Sequence, residues 1–550
     1  MVALQLTRAG LSVLVIEAGR SYSTKAPRMF EPPTAAPLRA NPTPDRVRGF
    51  FDGSIGGYSL PGEPYSNASM VRGERLSWYR ARVEGGRSNH WGRVSLRCGE
   101  YDFKPKTRDG VGRDWPIGYA DLEPYYTNTE RLIGVFGGDV SYENAPVAPP
   151  GVLQRPPPPR AYELAVKKAL WDAYKIPVAT NHLAILTASS GGRAACFAAT
   201  SCERGCSIGA AFQSTTSLLP WAAQTGKLTI RTNAQVRHLE LDGAGAKVAS
   251  AVVIDRETGE VSKVTANVFV LAASSFESVR ILLNSRSSAH PDGLGNEMGQ
   301  LGRGIMDTPS LRAWGHIPSW ESAPAHNEDG AWQGHMYVPW WGFGDPKAGR
   351  PRDPELRRGY LVEFYGGRKA IPERIWLEPM LETAKSKWGP ELRAELRRLY
   401  GAFVSFAGRA EMLPNPQTYC ELDTDGQVDA WGVPVLKFHW KWGESEMRQI
   451  EHMRKTFTSW FEALGGSALK GQDEYEPGKM IHEVGGAAMG ASEADSVLNR
   501  EGRLWAAQNV YVADGAAFPT SPHKPPTLTI LALAWRVADQ VIAASKGTTP

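Results

Sequence analysis

Two histidines near the C-terminal end of the chain carry the side-chain chemistry best suited to moving protons. His482 stands before a glycine turn in MIHEVGGAAMG (480–490), and His523 lies in the turn SPHKPP (521–526). An imidazole titrates close to neutrality, so it takes a hydroxyl proton at physiological pH without prior activation. Between the two, Asp514 and Gly515 follow the apolar strand NVYVAD, and an apolar helix begins near Thr527. The open end of a parallel strand is where such sheets receive ligands, and a helix N-terminus presents unpaired amides that favour negative charge. Far upstream, EGGRSNHWGRV (84–94) gathers Gly85, Gly86, Ser88, Asn89, His90 and Trp91 into one turn. Glycines there let the backbone approach a flat ligand closely, which puts Asn89 or His90 beside its reactive face. A glycine turn with a structural His90 is the alternative.

These groups need elements to position them. MVALQLTRAG reads as the last turns of a helix closed by Gly10, and the apolar strand Ser12 to Ile16 then ends in Glu17. A helix feeding a strand that ends in an acid is the second half of a dinucleotide-binding βαβ unit, the acid accepting hydrogen bonds from a ribose. The first half, a strand with a Gly-x-Gly-x-x-Gly turn, is expected ahead of Met1. Two explanations stand, a gene start assigned too late or a homologue that holds its cofactor poorly. Residues 21–80 read as loops over a ligand, 118–136 and 160–173 as helices, and 227–262 as short strands. The segment 267–285 predicts a buried strand followed by a helix. Between about 310 and 470, many tryptophans and alternating strands suggest an inserted antiparallel sheet. The resulting division is 1–309 and 471–550 for a discontinuous cofactor domain and 310–470 for a substrate domain.

The 550 residues exceed one compact core, and a net charge of +4 without basic runs removes nucleic acid from the expected partners. No transmembrane stretch or cleavable leader is expected. Cys98, Cys196, Cys202, Cys206 and Cys420 are too few for a disulfide framework. Within CFAATSCERGC, a metal with a fourth ligand from elsewhere competes with buried thiols or one disulfide. No metal is expected.

Six segments stand in a recognisable order: VLVIEAGR (13–20), GGRSNHWGR (85–93), DWPIGYADLEPYY (114–126), VLAASSFESVRILLNS (270–285), HEVGGAAMG (482–490) and NVYVADGAAFPTSPHKPPTLTILALA (509–534). With them the chain resembles the glucose–methanol–choline (GMC) oxidoreductases, FAD-dependent enzymes that oxidise alcohols. It looks most similar to bacterial glucoside 3-dehydrogenases and pyranose or C-glycoside oxidases. The resemblance implies a mixed α/β fold, with an FAD-binding Rossmann-like domain and an inserted antiparallel-sheet substrate domain. It implies oxidation of a secondary sugar hydroxyl, at C3, by hydride transfer to flavin N5 with His482 as base. Glu17 would hold the adenosine ribose and Val236 would meet the adenine. Gly85, Gly86, Ser88, Asn89 and His90 would pass the flavin, with a covalent bond at His90 left open. Asp514 and Gly515 would contact the pyrophosphate and flavin side, and the helix at Thr527 would face the flavin's pyrimidine end.

One departure concerns the second catalytic residue of the family, a His or Asn, which falls on Pro525. Proline offers no N–H and no side-chain acceptor. Either His482 works alone, His523 or another loop residue supplies the contact, or turnover is poor. Trp314, Trp332, Trp340, Trp341 and Phe343 are candidates to stack on a pyranose, with Gln333 and His335 as polar contacts. A small export-directed subunit and a cytochrome c are implied partners, giving a cytoplasmic or a partner-directed periplasmic location. The alternatives are an oxygen-using oxidase and a flavin-free homologue.

Overall fold

The computed structural model describes residues 1–21, 65–71, 73–78, 82–89, 91–197, 206, 208–243, 245–324, 334–341, 356, 358–367, 374–469 and 476–547. Its parallel strands come from distant parts of the chain. After the helix Val2–Arg8, the strand Val13–Ile16 pairs in parallel with Leu228–Arg231, and Phe269–Leu271 pairs in parallel with Val510–Val512. Among the described residues these two ladders are not hydrogen-bonded to each other. The helix Ser275–Asn284 follows its strand directly and buries Phe276, Val279, Leu282 and Leu283. Strands Ala234–Leu241, Val248–Asp255 and Val261–Thr265 form an antiparallel sheet, the last two joined by the Glu257-Thr258-Gly259 turn.

A six-stranded antiparallel sheet occupies the middle of the chain, in the order Ser467–Ala468, Ser310–His316, Phe403–Ala410, Tyr360–Gly366, Met336–Trp341, Ala179–Thr180. Every residue of Phe403–Ala410 is buried. The helix Glu444–Ala463 covers one face, its buried Met453, Phe457, Trp460 and Phe461 recurring at helical spacing. Glycines permit that contact: a Cβ on Gly315 would fall 2.1 Å from Phe461 Cδ1, and one on Gly408 would fall 2.5 Å from Met453 Sδ. Phe406 meets Phe457, Trp460 and Phe461, with ring centroids 5.7, 5.1 and 5.0 Å away.

The chain is thus a mixed α/β fold with antiparallel sheets. The last helix, Thr527–Ser545, is long and apolar enough to cross a membrane by length and composition, a test that a buried core helix also passes. Its apolarity has a local cause, because Leu528, Ala532, Leu533, Val537 and Val541 are buried in the protein. Thr529 Oγ1 also lies 2.9 Å from Tyr126 Oη of the helix Tyr119–Ile133 and 3.3 Å from Cys98 Sγ.

Candidate active site

The strand Val13–Ile16 delivers Glu17 to the edge of the antiparallel three-stranded sheet. Glu17 N–H donates to Arg231 O, and Ala234 N–H donates to Glu17 O, both at 2.9 Å. The acid therefore lies beside the start of the strand that carries half-buried Val236. Gly19 N–H donates to Glu17 Oε1 at 2.7 Å. Burial nevertheless pushes the Glu17 carboxyl up to about 7, against the opposing pull of that amide and of Arg256. A Cβ on Gly19 would sit 2.2 Å from Val83 N, and Glu84 N–H donates to Arg20 O at 2.9 Å. Those contacts seat the acidic turn against the glycine turn.

In the glycine turn, Gly85 has φ +80°, and a Cβ there would lie 2.7 Å from Thr215 Cγ2, so only glycine fits. Gly86 has φ +51°, and among the described residues nothing lies within 4 Å of where its Cβ would stand. Ser88 Oγ donates to Gly85 O at 2.6 Å and accepts from Ser214 N–H at 3.1 Å. Asn89 is fully buried and its amide is committed: Nδ2 donates to Glu84 O at 2.9 Å, and Oδ1 accepts from Thr215 Oγ1 at 2.7 Å. Its side chain ties the turn to Glu84 and Thr215. His90 lies outside the described residues.

Arg87, between these glycines and Asn89, reaches across to the His482 segment. Its Nη1 donates to Glu483 Oε2 at 2.5 Å and to Ile481 O at 3.4 Å. His482 N–H donates to Asp307 Oδ1 at 2.7 Å, and His482 Nδ1 lies 3.0 Å from Thr308 Oγ1. The residue is half-buried. Burial, then the Arg409 and Arg87 guanidiniums, hold the imidazole well below its ordinary range. It is neutral at pH 7. Asp307 is pushed the other way, up to about 7, by burial and by neighbouring Glu483.

Asp514 and Gly515 are packed against the same segment. Gly485 N–H donates to Gly515 O at 2.8 Å, and a Cβ on Gly515 would lie 2.9 Å from Glu483 O. Asp514 Oδ1 accepts from Ala516 N–H at 2.9 Å, and its other oxygen bonds the Ser278 hydroxyl. The structure thus joins Glu17, the Val236 strand, the glycine turn, His482 and Asp514–Gly515 through direct contacts.

His523 belongs to a different group. Its Nδ1 lies 2.8 Å from Glu411 Oε1, and Lys524 Nζ donates to Asp102 Oδ2 at 2.7 Å. Ligand atoms of Asp102, Glu411 and His523 lie within 4.8 Å of one another, as metal ligands would. Lys524 and the Arg358 that pairs with Glu411 already balance those carboxylates. Thr527, half-buried, begins the last helix after buried Pro525. Two sugar-contact expectations are corrected. Trp314 is buried among Met380, Leu399 and Phe403, and buried His335 bonds Glu163 Oε1 at 2.8 Å, so both serve packing. Trp332, Gln333, Phe343 and the side chains of Trp340 and Trp341 lie outside the described residues. Cys98, Cys206 and Cys420 form no disulfide among the described residues, and Cys202 is outside them.

Sequence reasoning passed over Arg87, Asp307, Thr308 and Arg409. Arg87 stood inside a noted motif, and Glu483 stood next to His482. Asp307 and Thr308 offered no local signal, since only chain closure brings 307–308 to 482.

Residues 414–534 match the family model described as GMC oxidoreductase. The chain carries a GMC oxidoreductase domain. It is similar to the fructose dehydrogenase large subunit of Gluconobacter japonicus, 27% identical over 98% of this chain and 95% of that one. The paromamine 6'-oxidase of Streptomyces fradiae is also 27% identical, over 98% and 88% of the two chains. Among solved structures, formate oxidase of Aspergillus oryzae, described for modification of its FAD, shares the fold with a TM-score of 0.61. It is 13% identical over 99% of this chain and 96% of that one.

GMC oxidoreductases are FAD-binding flavoproteins, and the residues present fit that group at both ends. Gly19 N–H bonds one Glu17 oxygen, and among the described residues the other has no hydrogen bond and would be open to a ribose diol. The open space at Gly86 admits a ring edge, and Asp307 Oδ2 is buried with no hydrogen-bond partner among the described residues. A glycine-rich diphosphate cradle is not among the described residues.

Proposed function

We propose that this chain is an FAD-dependent dehydrogenase that oxidises a secondary hydroxyl of a sugar or glycoside, at C3, to a ketone. The observation that carries this reading is the hold of Arg87, from the glycine turn, on the residues at either side of His482, Ile481 and Glu483. Glu17 and the Val236 strand would hold the adenosine end of FAD, and Gly85, Gly86 and the Asp514–Gly515 turn its flavin side. When bound, FAD supplies the two-electron acceptor for the hydride that leaves the carbinol carbon. His482 accepts the hydroxyl proton at its second ring nitrogen, Nε2, because Nδ1 faces Thr308. Arg409 and Arg87 disfavour the imidazolium, so this base is weak and its proton must pass on.

The similarity to a protein named as a large subunit supports a partner subunit; we propose that it is a small export-directed one, with a cytochrome c as final acceptor and a periplasmic location set by that subunit. A catalytically impaired homologue is the second reading, favoured by Pro525, which is buried and has no group to orient a hydroxyl.

The test is an anaerobic titration of purified, FAD-loaded protein with a methyl glucoside, followed at the flavin absorbance, with the product's oxidised carbon located by NMR. Bleaching with a 3-keto product is expected, and H482N should retain flavin yet reduce at least 100-fold more slowly, roughly the weight of general base catalysis. Flavin that binds but is inert to every sugar supports the impaired homologue. Rapid reoxidation on admitting air would replace the dehydrogenase with an oxidase.

A further inference from the structure

Ile481, immediately before His482, has φ +62°. A β-branched residue adopts that left-handed conformation only where its surroundings enforce it. Three consecutive residues show how. Arg87 Nη1 donates to Ile481 O at 3.4 Å, Asp307 Oδ1 accepts from His482 N–H at 2.7 Å, and Arg87 Nη1 meets Glu483 Oε2 at 2.5 Å. The Glu483 side chain is fully buried and that of Arg87 is 26% exposed, so their ion pair is shielded from most solvent screening. Arg87 comes from the glycine turn and Asp307 from a distant part of the chain, so two separate segments hold residues 481–483.

We propose that Arg87 is a positioning residue: by bridging the Ile481 carbonyl and the Glu483 carboxylate, it holds the strained backbone that presents His482 to the glycine turn. This deepens the reading of His482 as the base and rests on it for its catalytic meaning. Arg87 also contributes charge. The groups around His482 are the Arg87 and Arg409 cations, the Asp307 and Glu483 carboxylates and the Thr308 hydroxyl, with Arg409 itself paired to Glu363. Removing Arg87 takes away one cation that opposes the imidazolium, so His482 should bind its proton at higher pH. Lysine at 87 keeps the charge but lacks the planar fork that spans a carbonyl and a carboxylate.

The experiment uses the full chain with labelled histidine, H482N identifying the His482 resonance. NMR titration gives its midpoint, and amide hydrogen exchange at residues 481–483 reports the grip. R87Q is expected to raise the midpoint by about half to one pH unit, consistent with losing one nearby charge. R87K should keep the midpoint at the wild-type value, while both variants speed exchange at least tenfold. Adding I481G to R87K should restore slow exchange, because glycine adopts φ +62° without strain. An unshifted midpoint in R87Q, or exchange that I481G fails to restore, overturns the proposal; if R87Q does not fold, the R87K pair decides. Both readouts are independent of turnover, so flavin that no glycoside bleaches would defeat the functional reading and leave this test standing.

Discussion

Two histidines that look equivalent as residue types sit in opposite settings. His482 lies by a hydroxyl, two guanidiniums and a buried acid, one oxygen of which has no partner among the described residues, near the glycine turn. His523, 1% exposed, is locked to Glu411 within a cluster where Lys524 and Arg358 balance Asp102 and Glu411. Burial, then Lys524, hold its imidazole well below the ordinary range. A histidine that is neutral and bonded in this way is a structural hydrogen-bonding group. H523Q should therefore lower the unfolding temperature, since it disturbs a buried polar network worth about 1–3 kcal/mol per broken bond. Flavin reduction should persist in H523Q with its acid limb in place, whereas H482N loses it. Stopped-flow reduction across pH with a calorimetric melt checks both, and an acid limb displaced in H523Q would return His523 to the proton chemistry.

At the scale of elements, local periodicity made much of the fold legible. The helix at 118–136 is observed as Tyr119–Ile133, the one at 160–173 as Ala161–Tyr174, and the strand–helix 267–285 as Phe269–Leu271 with Ser275–Asn284. The order of the six-stranded sheet was not legible, because its edges are Ala179–Thr180 and Ser467–Ala468, two-residue strands too short to leave a pattern. For the same reason the sequence showed the glycine turn and His482 but not the Arg87, Asp307 and Thr308 contacts between distant segments. Nor did periodicity reveal why Gly315 and Gly408 interrupt buried strands. Both make room for the helix Glu444–Ala463, against different neighbours. A methyl on Gly315 meets the rigid ring of Phe461 at 2.1 Å, while one on Gly408 meets the more flexible Met453 and, less closely at 2.9 Å, the ring of Phe457. G315A should cost about 1–3 kcal/mol or more in urea unfolding and G408A less. Equal losses would mean the helix shifts as a body and neither contact is fixed.

At the scale of the whole molecule, buried acids and buried bases pull stability in opposite directions over one pH range. His182 is held down to about 4 by burial and by Arg97, against an ordinary value of 6.5. Between those values the unfolded chain binds a proton that the folded protein refuses, so stability falls as pH drops through that window. His482 and His523, also held low, add to the same slope. Asp307 does the reverse, raised from 3.8 to about 7, with Glu17 raised from 4.5 to about 7. The folded protein keeps their protons where the unfolded chain has released them, so stability falls as pH rises from about 4 to about 7 and stays lower above. The two sets offset each other, which predicts a shallow dependence in the wild type. D307N removes one acid from the balance while Asn keeps an oxygen for the His482 amide. Relative to wild type, D307N should gain stability between pH 5 and pH 8, on the order of 2–4 kcal/mol. Denaturant unfolding at the two pH values measures it. A D307N difference independent of pH would mean that Asp307 is already ionised in the folded protein, with its open oxygen satisfied by a partner such as water or bound cofactor.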